Sequence, residues 1–284
     1  MPHTVKHVRK VALPSGELIP ALGQGTWHMG EATHRRGDEI AALRLGLDLG
    51  LSVIDTAEMY GDGAAEQLVA EALGGRRNEA FLVSKVLPQN ATWRGTITAC
   101  ERSLGRLRTD RIDLYLLHWR SSIPLEETLE AFIDLVATGK IRYWGVSNFD
   151  VPDMEALTDL PGGATVATDQ VLYNLAHRGI EWELLPWCRE RNIPVMAYSP
   201  IGHGRMLQDS ALAQVAARSG VTPAQVALAW LLRRNGIVAI PKASTPRHVR
   251  ENRAAMDLRL SQQDLAVLDD AFPPPTAQQP LETI

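Results

Sequence analysis

Apolar and polar positions alternate along this chain in two distinct rhythms. Short apolar runs such as Leu51-Ser-Val-Ile54, Ala80-Phe-Leu-Val-Ser84 and Ile112-Asp-Leu-Tyr-Leu-Leu117 read as strands buried on both faces. The stretches between such runs place apolar residues near i, i+3 and i+4, the stripe of a helix with one buried side. Eight strands are predicted: 21–24, 52–54, 80–84, 112–117, 143–146, 166–170, 194–198 and 238–240. Helical patterns cover Glu39–Leu49, Ala64–Leu73, Gly95–Leu107, Glu126–Thr138, Ile180–Arg191 and Pro223–Arg234. The last of these opens with Thr222 as N-cap and proline at the first helical position. Ahead of the series, Val8–Leu13 and Leu18–Leu22 flank the turn sequence Pro14-Ser-Gly-Glu17, which predicts a hairpin.

Strict strand–helix alternation predicts an α/β fold with a parallel sheet, and eight repeats predict a closed (β/α)8 TIM barrel, the hairpin capping its bottom. No linker interrupts the series, so residues 1–284 are expected to form one domain. The tail, 271–284, holds Pro273-Pro-Pro275 and Pro280 and cannot be regular helix. It reads either as a frayed terminus or as a segment folded back over the barrel mouth.

The remaining composition narrows the function by exclusion. A length of 284 residues suits a barrel of about 250 residues, and 45% apolar residues suit a full-sized core. A net charge of −4 points away from nucleic acid and from anionic membranes. No apolar stretch approaches the roughly 20 residues of a membrane span, and the basic N-terminus lacks the apolar segment of a signal peptide. A cytoplasmic monomer is expected. Cys100 and Cys188 fall in predicted helices and read as packing thiols, and the eight histidines lack metal-ligand spacing, so no metal is implied. Gly23-x-Gly25 with Gly30 is not a dinucleotide fingerprint, because the third glycine is misplaced and no acidic residue follows at the right distance. These glycines are expected to serve the turn that ends the first strand.

Four polar residues stand where apolar runs end: Asp55 and Tyr60 after the second predicted strand, Lys85 after the third and His118 after the fourth. Singly, each has a plain structural reading: a local cap, a half-buried phenol, a solvated strand end, a satisfied core histidine. In a parallel barrel, however, the C-terminal strand ends converge on one face, where active sites sit. A buried lysine is costly unless paired, which predicts an Asp55–Lys85 ion pair. A cation within about 4–6 Å lowers a phenol from ~10 by ~1–3 units, so Lys85 is expected to make Tyr60 a proton donor. His118 would orient the substrate oxygen or pass on a proton. The set suits protonation of a carbonyl and leaves a hydride source to be found.

At this point the chain resembles the aldo-keto reductases, from about residue 11 to 273. The resemblance rests on Gly23-Gln-Gly-Thr-Trp27, Ile54-Asp-Thr-Ala-Glu-Met-Tyr60, Val83-Ser-Lys85, Asp113-Leu-Tyr-Leu-Leu-His118, Gly145-Val-Ser-Asn-Phe149, Gln170-Val-Leu-Tyr173, Tyr198-Ser-Pro200 and Ile240-Pro-Lys242. It is similar above all to small bacterial members that reduce methylglyoxal and other aldehydes. The resemblance implies that Asp55, Tyr60, Lys85 and His118 are a catalytic tetrad and that NADP(H) binds without a Rossmann domain. It places Ser147, Asn148 and Gln170 on the nicotinamide carboxamide and Tyr198 against the nicotinamide ring. Ser199, Pro200, Ile201 and Gly202 would line the pyrophosphate, and Lys242, Ser244, Thr245, His248 and Asn252 the adenosine end with its 2′-phosphate. Ala243 and His248 depart from the family pattern, which weakens the expected NADPH preference and leaves NAD(H) open as a second cofactor. Asp169 stands where many relatives have Asn.

Trp27, Met59, Leu87 and Trp119, beside the tetrad in sequence, are expected to line the pocket for a small-molecule carbonyl substrate. Short segments after His118 and Tyr198 predict an open mouth and broad use of small aldehydes, α-dicarbonyls and aromatic aldehydes. Two other readings stand beside this one: a Lys85 Schiff-base lyase, and an NADP(H)-binding regulatory or sensor subunit with little turnover.

Overall fold

A computed structural model describes residues 8–284 of the chain. Strands β1 (Lys10–Ala12) and β2 (Leu18–Pro20) form the expected antiparallel hairpin. Eight parallel strands follow: β3 (Gln24–Gly25), β4 (Val53–Asp55), β5 (Phe81–Val86), β6 (Ile112–Leu117), β7 (Ile141–Ser147), β8 (Asp169–Leu172), β9 (Val195–Tyr198) and β10 (Ile237–Ala239). Each pairs in parallel with the next. Parallel bridges Leu22↔Ala239 and Gly25↔Lys242 then join the first strand to the last, closing the sheet. Strands β5 and β6 are buried at every position, which is why their sequences are almost unbroken apolar runs.

The seam explains the decoy glycines. A Cβ on Gly25 would lie 2.7 Å from the Ile240 carbonyl oxygen, and one on Gly23 would lie 2.9 Å from Val53. Both serve close approach of backbones within the barrel wall, where a turn was expected.

Helices α1 (Arg36–Asp48), α2 (Ala64–Ala72), α3 (Trp93–Leu107), α4 (Leu125–Ala137), α5 (Val151–Thr158), α6 (Leu184–Glu190), α7 (Ser210–Ser219), α8 (Pro223–Leu232), α9 (Pro246–Ala255) and α10 (Gln262–Ala271) complete the chain. The cap of α8 is a full capping box, with Thr222 and Gln225 bonding reciprocally to backbone and side chain. Helix α6 is shorter than the predicted 180–191 because residues 179–181 form a separate 3₁₀ turn. Helices α5, α7 and α10 were not anticipated. Their starts are nonetheless chemically marked: Asp150, Asp209 and Ser261 each cap a free backbone amide.

The hairpin is tied to the barrel through Glu17, which accepts from the Tyr143 hydroxyl at 2.7 Å and pairs with Arg142. Beyond α10, the tail contains neither helix nor strand. Arg178 holds its beginning, donating to Asp269 at 2.7 Å and to the Phe272 carbonyl at 2.6 Å. Gln278 donates to Glu183 at 2.8 Å, and Glu282 lies 3.0 Å from His177. Among the described residues, no helix is long and apolar enough to cross a membrane, and no cluster of metal-ligating side chains occurs. Cys100 and Cys188 are both buried and free, and burial raises the Cys100 thiol to about 12.

Candidate active site

The ladder carries the polar residues to one end of the barrel. Asp55 is the last residue of β4, Lys85 the penultimate residue of β5, and Ser147 the last of β7; His118 follows β6 directly. Tyr60 opens a 3₁₀ turn, Tyr60–Gly63, in which Gly61, Asp62 and Gly63 take positive φ values of 55°, 51° and 90°. Three successive left-handed residues reverse the chain sharply, and two are glycine, which alone adopts this conformation freely. The turn leads the chain into α2 immediately after Tyr60, whose hydroxyl meets Lys85 at the strand ends.

Lys85 is fully buried and uses all three of its ammonium protons. It donates to Asp55 Oδ2 at 2.8 Å, to the Thr56 carbonyl at 3.0 Å and to the Tyr60 hydroxyl at 3.1 Å. Burial disfavours its charge, but Asp55 and Tyr60 outweigh burial and hold the ammonium above its ordinary value. The other oxygen of Asp55 accepts from Gln170 Nε2 at 2.8 Å. Because the Tyr60 oxygen accepts from Lys85, its own proton remains free to be donated into the cavity.

One expectation is reversed. Burial pushes the Tyr60 phenol above its usual value; Lys85 pulls it down but does not prevail, and Asp55 adds to the rise. Tyr60 is therefore a neutral phenol that retains its proton until a strong base forms beside it. An alkoxide developing on a reduced carbonyl is such a base. His118 lies edge-on to Tyr60, with ring centroids 6.0 Å apart. Burial and the Lys85 charge lower its imidazole to about 3, so it is neutral and is suited to hydrogen bonding rather than to carrying charge. Its Nδ1 is buried with no partner among the described residues.

These groups form the floor of a cavity of about 420 Å³. Of the residues singled out in the sequence, the cavity lining takes in Asp55, Tyr60, His118, Ser147, Asn148, Gln170, Tyr198, Ser199, Pro200, Ile201 and Lys242, together with Trp27, Met59 and Trp119. Lys85 lies just beneath this surface. Leu87, expected in the pocket, is not among the residues that line the cavity; its backbone amide donates to Glu58 at 2.8 Å. Gly202, Ser244, Thr245, His248 and Asn252 do not line the cavity either. Thr245 caps α9, accepting from the His248 amide, while His248 is exposed and Asn252 buried. The lining also includes Gly25, Thr26, His28, Gly204, Ile240 and Ile284, which sequence reasoning had not selected as site residues. The adjacency of Thr26 and His28 to Trp27 was the available signal for two of them. For Ile284 the signal was the reading of the tail, 271–284, as a segment folded back over the barrel mouth.

The cavity walls suit a nicotinamide dinucleotide. Ser147 donates to the Gln170 carbonyl at 2.7 Å, and Asn148 donates to the His118 carbonyl at 3.1 Å and accepts from the Tyr198 hydroxyl at 2.9 Å. Amides and a hydroxyl are thus fixed beside the half-buried ring of Tyr198, complementary to a carboxamide and a flat heteroaromatic ring. Ser199 takes a positive φ of 45°, and Asn174 Nδ2 holds its carbonyl at 2.9 Å, shaping the loop after β9. At the outer end Lys242 is exposed and has no carboxylate partner among the described residues, the chemistry expected for a phosphate contact. Asp169, beside Gln170 on β8, is fully buried, and burial drives its carboxyl well above the usual range.

Comparison with known proteins agrees with this geometry. The family described as "Aldo/keto reductase family" matches residues 21–272. The chain is 52% identical over 276 residues to methylglyoxal reductase YeaE of Escherichia coli (strain K12), covering 95% of this chain and 97% of that one. It is 32% identical over 270 residues to glyoxal reductase of Bacillus subtilis (strain 168), covering 95% and 94%. A crystal structure of aldo/keto reductase from Klebsiella pneumoniae in complex with NADP and acetate superposes with a TM-score of 0.95 at 50% identity, covering 98% of this chain and all of that one.

Proposed function

This chain belongs to the aldo/keto reductase family, and on that premise we propose that it reduces small aldehydes and α-dicarbonyls of the methylglyoxal type, and aromatic aldehydes, to alcohols with NADPH. The observation that carries the reading is the buried Lys85 donating to both Asp55 and Tyr60 at the cavity floor. When bound, the reduced nicotinamide supplies hydride to the carbonyl carbon. Tyr60 supplies the proton, its oxygen fixed by Lys85 and its hydrogen directed into the cavity. His118, neutral, hydrogen-bonds the carbonyl oxygen and keeps it beside Tyr60. Such general acid catalysis is worth roughly 10²–10⁴-fold.

Ser147, Asn148 and Gln170 hold the carboxamide, Tyr198 supports the ring, and Ser199–Ile201 follow the pyrophosphate. Gln170 touches Asp55, so the residue that orients the cofactor is bonded to the residue that keeps Lys85 charged. Lys242 and the start of α9, with Ser244, Thr245, His248 and Asn252, receive the adenosine end. Trp27, Met59 and Trp119, each more than a third exposed, give the substrate an apolar, open entrance. The protein acts as a cytoplasmic monomer.

A Schiff-base role for Lys85 fits poorly, because an amine nucleophile must be neutral, whereas this one is held charged with every proton engaged. The deciding assay follows NADPH oxidation against methylglyoxal, aromatic aldehydes and aldoses, repeated with NADH. Turnover of the first two classes, faster with NADPH, is expected; tight NADPH binding with negligible turnover across the panel would instead identify a sensor.

A further inference from the structure

At the end of the barrel opposite the active site lies a second groove, of about 850 Å³. One wall is β1 with its flanks, Arg9–Pro14 and Gly16; the other is formed by the segments before β9 and β10, including Arg189, Ile193 and Arg234. No residue of β2 lines it, so it runs along the side of β1 that β2 does not cover.

Among the described residues, that side of β1 is an open strand edge. Arg9 accepts from the Ala21 amide and Leu13 donates to the Glu17 carbonyl, so in the register Lys10↔Pro20, Val11↔Ile19, Ala12↔Leu18 the odd-numbered residues bond to β2. The N–H and C=O groups of Lys10 and Ala12 therefore point outward. Unpaired strand edges of this kind accept a further strand.

The groove is also strongly cationic in a chain whose net charge is −4. It is lined by Arg9, Lys10, Arg189 and Arg234 and by no Asp or Glu. Arg234 is paired with Glu181 at 2.8 Å. Arg9, Lys10 and Arg189 have no carboxylate partner among the described residues. Arg9 is further crowded by burial and by Arg259, both of which lower its guanidinium from the usual value. Like charges gathered without counterions favour an anionic occupant. Between them, buried Val11, Leu13, Leu185 and Ile193 offer apolar contact.

We propose that this groove docks an acidic segment of a partner protein in extended form, added as a strand along the open edge of β1 with its carboxylates on Arg9, Lys10 and Arg189. Alternation of acidic and apolar residues in that segment would match a rim of cations over an apolar floor.

The test uses the full chain and a fluorescein-labelled peptide of alternating Asp and Val, with a Lys-Val peptide as control, followed by anisotropy at low salt. The Asp-Val peptide is expected to bind with Kd below about 1 mM and the control not to bind. Arg9→Glu with Arg189→Glu should weaken binding about tenfold or more. Ala12→Pro deletes an outward amide that bonds to no other described residue, and should weaken binding comparably. Unchanged aldehyde reduction by each variant establishes that it is folded, since none of these residues lines the catalytic cavity. Absence of binding overturns the proposal. So does binding that survives Ala12→Pro and is displaced by inorganic polyphosphate, which would mark a general polyanion site without strand addition.

Discussion

Replacing Tyr60 by Phe removes one oxygen from the cavity floor and tests the assigned chemistry directly. The phenyl ring would keep its place beneath Lys85, whose ammonium lies 4.7 Å from the ring centroid. Lys85 would lose one of three acceptors and keep Asp55 and the Thr56 carbonyl, at a cost to stability of about 1–3 kcal/mol. The fold should therefore survive. The reaction should not, because the groups left at that point are poor acids: the Lys85 ammonium is held above its ordinary value beside Asp55, and His118 is neutral. Loss of general acid catalysis predicts a kcat lower by roughly 10²–10⁴, equivalent to about 3–5 kcal/mol of barrier. NADPH affinity should change by less than about threefold, since the hydroxyl acts on the developing oxyanion. The assay pairs NADPH oxidation at saturating methylglyoxal with an equilibrium titration of NADPH by quenching of tryptophan fluorescence. A variant with kcat within about tenfold of the parent would remove Tyr60 from its role. A rise in Kd matching the fall in kcat would move that role to cofactor binding.

Lys85→Met leaves Asp55 buried without its cation and should destabilise by about 3–5 kcal/mol; adding Asp55→Asn should recover part of the lost Tm, and failure to do so would argue against a coupled pair. Asp169 is raised in the folded state, so the unfolded carboxyl ionises first and stability declines as pH climbs above the ordinary carboxylate value. Asp169→Asn should therefore raise Tm more at pH ~8 than at pH ~4, as scanning calorimetry at both values would reveal. With His118 lowered to about 3, kcat at saturating NADPH should show no acid limb near the ordinary histidine value of about 6.5. Lys242→Ala should weaken NADPH by about tenfold, ~1.4 kcal/mol, and NADH little, measured by fluorescence titration; equal losses would place Lys242 away from the 2′-phosphate.

The periodicities revealed the barrel because β5 and β6 are buried on both faces, and strands so placed are mostly apolar. Strand ends were less legible. Asp55, Lys85 and Ser147 were placed after their strands because polarity looks like termination, yet the ladder continues through them. Ladder bonds belong to the backbone and ignore side-chain polarity. Helix α5 escaped notice because it is only 8 residues long, too short for its apolar stripe to repeat. The tail and the Ile240-Pro-Lys242 stretch were legible as segments near the barrel mouth, but that Ile284 and Ile240 themselves reach the cavity lining depends on contacts distant in sequence. The direction of the Tyr60 shift was misjudged for a similar reason: proximity to a cation could be inferred from strand order, but the extent of burial could not.

The reversed shift alters how the site works without weakening it. A phenol acidified by Lys85 would lose protons to water as well as to substrate. One kept above its usual value by burial holds its proton against solvent and yields it only to a stronger base formed within the cavity. Lys85 then matters less for the acidity of the resting phenol than for the phenolate left once the proton has gone, which would stand 3.1 Å from a fixed ammonium. That ammonium is gripped by one short segment, because Asp55, Thr56 and Tyr60 all lie between the end of β4 and the turn next to it. The charge that receives the phenolate is thus built into the backbone path before any ligand arrives, and transfer of the proton requires no rearrangement of the groups that stabilise its product.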